Sequence, residues 1–298
     1  MARLVFLGTP EAAVAPLRTL VEAGHDVGLV VTRPDKRRGR GGALHPSPVK
    51  AAATELGLRV TDRLEDVPSA GAELGVVVAY GRIIPVAVLH ELPMVNLHFS
   101  LLPRWRGAAP VERAILEGDA ETGVCLMEVE AGLDTGRIYA RADTTIDDDE
   151  TADELRSRLV DLGCRLLADN LADGVAGLPV PRDQVGVPSY AEKIQPAELE
   201  IRWAQTAERI RRVVRLGRAW TTWRGHRLGV LAVEALTMPG YGPSEDGRVP
   251  GTLEGHTVVT GGGTGIVLVS VQPEGRRPMA AADWSRGQRV EPGERLGP

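Results

Sequence analysis

The chain has 298 residues, of which 43% are hydrophobic and 25% charged, and it contains two cysteines. These values are those of an ordinary globular protein; they exclude a disulfide scaffold and a disordered chain, and no apolar run approaches the roughly 20 residues of a membrane helix. Residues 197–298 carry a net charge of +3 and residues 1–196 one of −8. A basic C-terminal part is compatible with an anionic partner, and we expect a cytoplasmic monomer.

Strand and helix patterns alternate in the first half. The apolar run ARLVFLG predicts a first strand, and PEAAVAPLRTLVEAG predicts a helix that ends at Gly24. DVGLVVT, AELGVVVAYG and MVNLHFS predict further strands, with helices in PVKAAATELG and IIPVAVLHEL. Apolar strands that alternate with helices indicate a parallel sheet covered on both faces. The first turn, LGTPEAA, has one glycine where a dinucleotide-binding fingerprint has three, so we predict a Rossmann-like sheet without the NAD motif.

The second half begins after a proline-rich stretch. Residues 175–197 contain four prolines and no amphipathic period, which is typical of an extended linker. Beyond it, ELEIRWAQTAERIRRVVRLG predicts one helix, and HRLGVLAVEAL, GTLEGHTVVTGG and GIVLVSVQ predict short strands, a pattern that suggests a small β-barrel of the OB type. We therefore predict an α/β catalytic domain over residues 1–178, a linker over 179–197 and a smaller OB-like domain over 198–298.

Two polar side chains stand at the end of the MVNLHFS strand. Because strand side chains alternate, Asn96 and His98 share one face. Phe99 either points to the other face and packs in the core, as the alternation indicates, or lines the ligand site. Ligands of open α/β sheets bind outside the carboxyl ends of the strands. An amide donor and an imidazole aimed at one point suit an oxyanion at a carbonyl carbon. A histidine at a strand end is more often structural, and no nucleophile motif accompanies this pair.

The GLDTG segment places one aspartate between two glycines. Asp and Gly are common turn formers, so an ordinary turn is one interpretation. In the other, Gly132 and Gly136 let the loop pass close to a ligand while Asp134 faces His98. A carboxylate beside an imidazole favours the protonated ring and fixes its orientation. Together with Asn96, these residues would form a set for acyl or formyl transfer without a covalent intermediate.

Two basic segments complete the pattern. Residues 33–48, RPDKRRGRGGALHPSP, are predicted to form a basic loop, which is either simply solvated or grips phosphates through Lys36, Arg37, Arg38 and Arg40.

In the predicted C-terminal helix, Arg211, Arg215 and Arg218 fall on one face. The opposite face carries the apolar stripe Trp203, Ala207, Ile210 and Val214. The basic face is either simply solvated or a contact for an RNA backbone.

The stretch VNLHFSLLPRWRGAAPVERAILEGDAETGVCLMEVEAGLDTG contains Asn-x-His, Ser-Leu-Leu-Pro and Gly-Leu-Asp-Thr-Gly motifs. It closely resembles the signature of the formyltetrahydrofolate-dependent formyltransferases. The resemblance extends over nearly the whole chain, through VFLGTPEAAVAPL, RPDKRRGRG, VVVAYGRIIP and VEPGERL. The motifs are specific for the superfamily, whose members also modify glycinamide ribonucleotide and nucleotide-linked amino sugars.

The resemblance implies site residues and substrates. By position, the catalytic set is Asn96, His98 and Asp134, the folate-contacting segment is Ser100, Leu101, Leu102 and Pro103, and the loop arginine that approaches a tRNA acceptor end is Arg40. The implied cosubstrate is 10-formyltetrahydrofolate, and no metal is implied. RWRGAAP, the basic loop and the C-terminal domain favour initiator methionyl-tRNA as the formyl acceptor. The alternative acceptor is a nucleotide-linked amino sugar or another small amine.

Overall fold

A computed structural model describes residues 1–38, 42–236, 249–261 and 264–297. The chain divides into two units. The first comprises Met1–Val111, Ala120–Ile146 and Glu154–Glu192, and the second comprises Glu112–Asp119, Asp147–Asp153 and the described residues of 193–298. Two segments of the first half therefore belong to the second unit, an arrangement that the sequence does not predict.

The first half and the segment that follows it contain a series of short strands and helices. The strands are β1 (Arg3–Gly8), β2 (Asp26–Val31), β3 (Lys36–Arg38), β4 (Ala43–His45), β5 (Val60–Thr61), β6 (Leu74–Val78), β7 (Met94–His98), β8 (Arg106–Gly107), β9 (Glu121–Glu128), β10 (Ile138–Thr145) and β11 (Tyr190–Ala191). The helices are α1 (Val14–Glu22), α2 (Pro48–Glu55), α3 (Val86–Glu91), α4 (Pro110–Glu117) and α5 (Ala152–Leu171). Short 3₁₀ turns cover Glu11–Ala13, Leu64–Asp66, Pro68–Ala70 and Val175–Gly177.

The central sheet of the first unit has the strand order β10-β9-β7-β6-β1-β2-β5. The five strands from β7 to β5 in this order are parallel, whereas β9 and β10 are added in antiparallel fashion. The chain runs from β1 outward to β5 and then crosses to β6 on the other side of β1, so the strand order reverses between β1 and β6. Such a reversal is where open α/β sheets bind ligands. The prediction of a mostly parallel, Rossmann-like sheet is confirmed.

The core of this unit follows from the apolar runs in the sequence. All five residues of β6 and the last five of β1 are buried. Leu7, Leu29 and Val77 belong to one buried cluster on the sheet. Removing a Leu or Val side chain from water contributes about 1.5–3 kcal/mol to folding, so these strands fix the sheet. Phe99 is also buried, as the alternation along β7 predicts.

Residues 182–191, which we call the strap, are bound to the first unit although the sequence predicts an extended linker there. Arg182 exchanges backbone hydrogen bonds of 2.8 and 2.9 Å with Ile138. At its other end β11 pairs in parallel with β8. A proline-rich segment without amphipathic character cannot form a core helix, but its backbone groups still need partners. Here the partners are Ile138, the first residue of β10, and the short strand β8, both in the first unit.

The second unit is built on an antiparallel sheet. Its strands are β12 (Trp220–Trp223), β13 (His226–Leu236), β14 (Leu253–Glu254), β15 (Thr257–Val259), β16 (Gly265–Pro273) and β17 (Met279–Ala280). The strand order is β12-β13-β16-β15-β14, with β17 paired to β16. A 3₁₀ turn covers Pro196–Leu199, and the helices are α6 (Ala207–Arg215) and α7 (Ala281–Gly287). The prediction of a smaller, β-rich C-terminal domain is confirmed.

Helix α6 is shorter than the sequence predicts. It begins after Thr206, whose side-chain oxygen accepts a hydrogen bond from the Arg209 backbone N–H at 3.2 Å. Threonine is a favoured N-cap, and this cap sets the start of the helix within a longer amphipathic pattern. The four residues of the predicted apolar stripe are all buried, namely Trp203, Ala207, Ile210 and Val214.

Over the ranges that the structure describes, no helix combines the length and apolar character that crossing a membrane requires.

Candidate active site

Strand β7 brings Asn96 and His98 to the carboxyl end of the parallel strands. The two residues are separated by one position and therefore lie on the same face of the strand. Across the antiparallel pairing with β9, Asn96 is opposite Met127 and His98 is opposite Cys125. His98 is only 6% exposed. Contacts with the protein therefore decide the orientation of its ring.

The imidazole ring of His98 is anchored by the backbone of Trp105. Nε2 of His98 lies 2.9 Å from the carbonyl oxygen of Trp105. A carbonyl oxygen only accepts, so Nε2 carries a hydrogen and donates it. Trp105 has a φ of 63°, a left-handed conformation that costs a non-glycine residue about 1–3 kcal/mol. Its N–H donates to Oγ of Ser189 at 3.0 Å, so a residue of the strap helps to hold this conformation.

Asp134 lies in the turn between β9 and β10, with its carboxylate beside His98. Its Oδ2 is 3.6 Å from Nδ1 of His98 and accepts a hydrogen bond of 2.7 Å from the backbone N–H of Gly107. Gly107 has a φ of 123°, and a Cβ at this position would lie 2.9 Å from the carbonyl oxygen of Ala191. Only glycine fits there, and it allows its N–H to hold the carboxylate.

His98 and Asp134 bring a ring nitrogen and a carboxylate oxygen to 3.6 Å of each other. With a hydrogen on Nε2, a neutral ring would present the lone pair of Nδ1 to an anionic carboxylate, whereas a proton on Nδ1 or on Oδ2 would remove that repulsion. The separation exceeds hydrogen-bond length, so a proton placed between them can be donated to a third group. The pair can therefore stabilise negative charge on a ligand or exchange a proton with it.

The loop that carries Asp134 is held from behind by Gln184. Nε2 of Gln184 donates to the carbonyl oxygens of Asp134 and Gly136, each at 2.8 Å. Its Oε1 accepts from Nε and Nη2 of Arg106 at 3.1 and 2.7 Å. Sequence analysis missed Gln184, because it lies in the proline-rich stretch and no motif marks it.

A cleft of about 730 Å³ opens where β1, β2, β5 and β6 end. It lies at the reversal of strand order, the usual ligand position in such sheets. Its described lining includes the basic side chains Arg33, Lys36, Arg63 and Arg82, against the carboxylates of Asp62 and Glu65. The excess of positive charge suits an anionic ligand. Within the described part of the chain, no three His, Cys, Asp or Glu side chains are grouped so that they could hold a metal ion.

Comparison with known proteins assigns the family. Residues 2–171 match the family model described as formyl transferase, and residues 193–289 match the one described as formyl transferase, C-terminal domain. The chain belongs to the formyl transferase family. It is 44% identical to the methionyl-tRNA formyltransferase of Acidothermus cellulolyticus, over 99% of this chain and 99% of the relative. The resemblance indicated by the sequence motifs is confirmed.

Solved structures of similar proteins show the same fold. An N-formyltransferase from Helicobacter canadensis, in complex with folinic acid and dTDP-3-aminofucose, matches with a TM-score of 0.68 at 18% identity, covering 92% of this chain and 100% of that one. Methionyl-tRNA formyltransferase from Clostridium thermocellum matches with a TM-score of 0.59 at 20% identity, covering 78% and 93%.

In this formyl transferase, most of the predicted folate-contacting segment is buried. Ser100 and Leu102 are inaccessible or nearly so, Pro103 is buried and Leu101 is half-buried. The Ser100 hydroxyl donates to the carbonyl oxygen of Arg104 at 2.6 Å and so shapes the turn that presents Trp105. Folate contact by this segment stays a prediction, and Leu101 is its most accessible side chain.

Cys125 of the formyl transferase is opposite His98 and would be a candidate for covalent catalysis. Its thiol is buried, and burial raises its pKa to about 11. The thiolate is the nucleophilic form, and a thiol with that pKa is ionised to roughly 0.1% at pH 8. Cys125 is therefore a poor nucleophile near neutral pH.

We expect Cys125 to resist alkylation in the native enzyme at pH 8, because its thiol is both protonated and inaccessible. Cys164, which is half-buried, is the internal comparison and should react first. Counting iodoacetamide adducts by mass spectrometry, before and after unfolding in guanidinium, checks this. The thiolate fraction rises with pH, so modification of Cys125 should appear only as the pH approaches 11. Rapid labelling of Cys125 at pH 8 that parallels loss of activity would contradict this reading.

The predicted tRNA-binding residues of the basic loop are only partly described. Lys36 and Arg37 are exposed and lie on β3, which forms a hairpin with β4. Arg37 Nη1 donates to the carbonyl oxygen of Gly42 at 3.1 Å. The backbone of Arg38 continues β3, and Arg40 lies outside the described residues. Their contact with tRNA stays a prediction.

The two predicted tRNA-binding arginines of α6 are engaged within the second unit. Arg211 Nη2 lies 2.9 Å from Oδ1 of Asp149, and Arg211 Nη1 lies 3.0 Å from Oε2 of Glu208. Arg215 donates to the carbonyl oxygens of Glu150 and Asp147 at 2.7 and 2.8 Å. A phosphate would have to compete with these partners, so RNA binding by this face stays a prediction.

Proposed function

We propose that this protein transfers the formyl group of 10-formyltetrahydrofolate to the α-amino group of initiator methionyl-tRNA, which gives N-formylmethionyl-tRNA for translation initiation. The observation that carries the proposal is the 44% identity to a methionyl-tRNA formyltransferase over 99% of both chains. The enzyme acts as a monomer in the cytoplasm, where translation begins. An acceptor as small as an amino sugar would leave the basic loop and the basic C-terminal part without a purpose.

The folate supplies an activated formyl group, and the protein supplies positioned donors. Asn96 and His98 share one strand face, so the Asn96 amide and a ring N–H of His98 can address the same oxygen. Negative charge develops on the formyl oxygen when an amine adds to the formyl carbon. Preorganised donors stabilise that charge at little cost in reorganisation, and losing one typically costs about 10²–10³ in rate.

The His98–Asp134 pair carries out the proton transfers of the reaction. The α-amino nitrogen must lose a proton as it becomes an amide nitrogen, and the folate nitrogen that leaves must gain one. Asp134 takes up the first proton or holds His98 in the orientation to do so, and the pair returns a proton to the leaving nitrogen. The proton count of the pair is the same before and after turnover.

Basic side chains on the protein would bind the phosphates of the tRNA acceptor. A tRNA is polyanionic, and Lys or Arg contacts with its phosphates contribute most of its sequence-independent affinity. The basic side chains of the cleft and the basic loop follow β2, β5 and β6 in the chain, and β6 is paired with β7, the strand that carries His98. We assign the phosphate contacts of the acceptor end to this side of the sheet.

The test is formyl transfer from 10-formyltetrahydrofolate, measured in parallel with methionyl-tRNA and with a nucleotide-linked amino sugar as acceptor. The proposal predicts formylation of the charged tRNA alone. Transfer to the sugar alone would refute the acceptor while leaving the chemistry at His98 intact. Absence of transfer to either acceptor would refute the enzyme activity.

Arg40→Ala is expected to weaken tRNA binding and to make it less sensitive to salt. One lost phosphate contact reduces the slope of log K against log salt concentration by about 0.7–0.9. The matched control is Arg59→Ala, an exposed arginine just before β5, at the opposite end of the parallel strands. Titrations of the tRNA at several salt concentrations provide the slopes. Equal slopes for wild type and Arg40→Ala would exclude a phosphate contact there.

A further inference from the structure

We propose that Gln184 is a positioning residue for formyl transfer, which acts by fixing the Asp134 loop against His98. The inference rests on the proposed function. Gln184 belongs to the strap and lies outside the stretches that match the two family models, residues 2–171 and 193–289. Its side chain makes no hydrogen bond with the His98 ring itself, so its effect would travel through the loop.

The side-chain amide of Gln184 uses its full hydrogen-bonding capacity in the first unit. Its two N–H groups go to the carbonyl oxygens of Asp134 and Gly136, and its oxygen receives two N–H groups of Arg106. A guanidinium only donates, so the amide oxygen must face Arg106 and the amide nitrogen must face the loop. The orientation of the amide follows from its neighbours.

This amide acts on the Asp134 carboxylate from two sides. It binds the backbone of Asp134 directly, and it binds Arg106, the residue before Gly107, whose N–H holds the carboxylate at 2.7 Å. Asp134 has a φ of 49°, a left-handed conformation that a non-glycine residue adopts only when its surroundings impose it. Gly136 adds a close approach, because a Cβ there would lie 2.1 Å from the carbonyl oxygen of Glu128.

Hydrogen bonds rather than burial hold this part of the strap. The side chains of Val185 and Val187 are 88% and 90% exposed, so the residues next to Gln184 have no core to anchor them. Loss of the Gln184 amide would therefore free the Asp134 turn without opening a cavity in the core. Displacement of a reacting group by about 1 Å can cost about 10² in rate.

Gln184→Ala and Gln184→Glu test the inference. Glutamate keeps the size of the side chain and can still accept from Arg106, but it turns an oxygen toward two carbonyl oxygens. We expect both variants to lower kcat by about 10–100-fold at a temperature where each is fully folded; a lower unfolding temperature is also expected, because the loop carbonyl oxygens lose their donors. Val185→Ala, in the same segment, should retain wild-type kcat. A space-filling role would instead leave Gln184→Glu active, and that result would overturn the inference.

A double variant that combines Gln184→Ala with Asp134→Asn distinguishes an effect of Gln184 through Asp134 from an effect of Gln184 that is independent of Asp134. If Gln184 acts only through Asp134, adding Gln184→Ala to Asp134→Asn should lower kcat by no more than about threefold further. Multiplication of the two single-variant effects would contradict this route. A wild-type enzyme that does not formylate methionyl-tRNA refutes the proposed function, whereas an active wild type with an equally active Gln184→Ala refutes this inference alone.

Discussion

Replacing His98 by alanine is expected to lower formyl transfer to methionyl-tRNA by about 10²–10³-fold, the usual cost of one preorganised donor. The variant removes the ring N–H that would face the formyl oxygen. It also leaves the carbonyl oxygen of Trp105 without its 2.9 Å donor and the Asp134 carboxylate without its neighbour. Because these contacts lie in the catalytic site and away from the basic loop residues, the affinity for tRNA should not change.

Single-turnover rates, together with tRNA dissociation constants measured by filter binding, distinguish chemistry from binding for His98→Ala. His90→Ala is the matched control, since His90 is an exposed residue of α3. Wild-type turnover by His98→Ala would reject the catalytic assignment. A fall in rate that is fully explained by weaker tRNA binding would reject it as well.

Asp134→Asn is the second substitution with a large expected effect, a loss of about 10²-fold or more in kcat. The asparagine oxygen can still accept the N–H of Gly107, so the turn should stay in place. Because Oδ2 makes both contacts, that oxygen would also remain the atom beside Nδ1 of His98. A neutral amide oxygen does not take up or return a proton, and it no longer offers a negative charge to the ring. Geometry is kept while proton transfer is removed.

Comparison with Asp134→Ala and with Asp173→Asn completes the test of Asp134. The alanine variant also leaves the Gly107 N–H without its acceptor, which should cost about 1–3 kcal/mol of stability. Asp173 is exposed and serves as the control for loss of a negative charge. If Asp134→Asn turned over at the wild-type rate, the shared proton would have no part in the reaction.

Local pattern was enough to predict four of the five parallel strands, because β1, β2, β6 and β7 are short apolar runs bounded by helices or turns; β5, which is only Val60–Thr61, carries no such pattern. Local pattern was not enough to set the start of α6. There the amphipathic period continues upstream of Thr206, but the Thr206 side chain caps the N-terminus, so the helix begins at Ala207 and not where the pattern begins. The antiparallel edge formed by β9 and β10 was not identified either, since strand direction depends on which neighbour pairs with β7.

In the candidate site, too, some residues could be predicted from the sequence and others could not. Alternation along β7 put Asn96 and His98 on one face, and the two glycines of GLDTG marked Asp134. The groups that hold Asp134 are 27 and 50 residues away in the chain, at Gly107 and Gln184. No periodicity links such positions, because the contacts form only once the sheet has brought the loops together.

The arginines of α6 show that the spacing of basic residues on a helix does not predict whether their charges are free or paired. The spacing of Arg211 and Arg215 predicts an exposed basic stripe. In the structure these two arginines instead donate hydrogen bonds to a carboxylate and to carbonyl oxygens of residues 147–150, which lie 62 to 68 positions earlier in the chain. Burial lowers the pKa of Arg215, and its partners are backbone oxygens that no charge count includes.

The strap also changes where the catalytic part of this enzyme ends. A fragment cut at residue 178, where the linker was predicted to begin, would retain every strand of the central sheet, and it would also retain Asn96, His98 and Asp134. It would lose Gln184 and Ser189, and with them the hydrogen bonds to the loops behind Asp134 and Trp105. A catalytic fragment would therefore have to include the strap, residues 182–191, to keep these hydrogen bonds. Proteolytic cleavage within 182–191 is therefore expected to lower kcat although Asn96, His98 and Asp134 all remain in the protein.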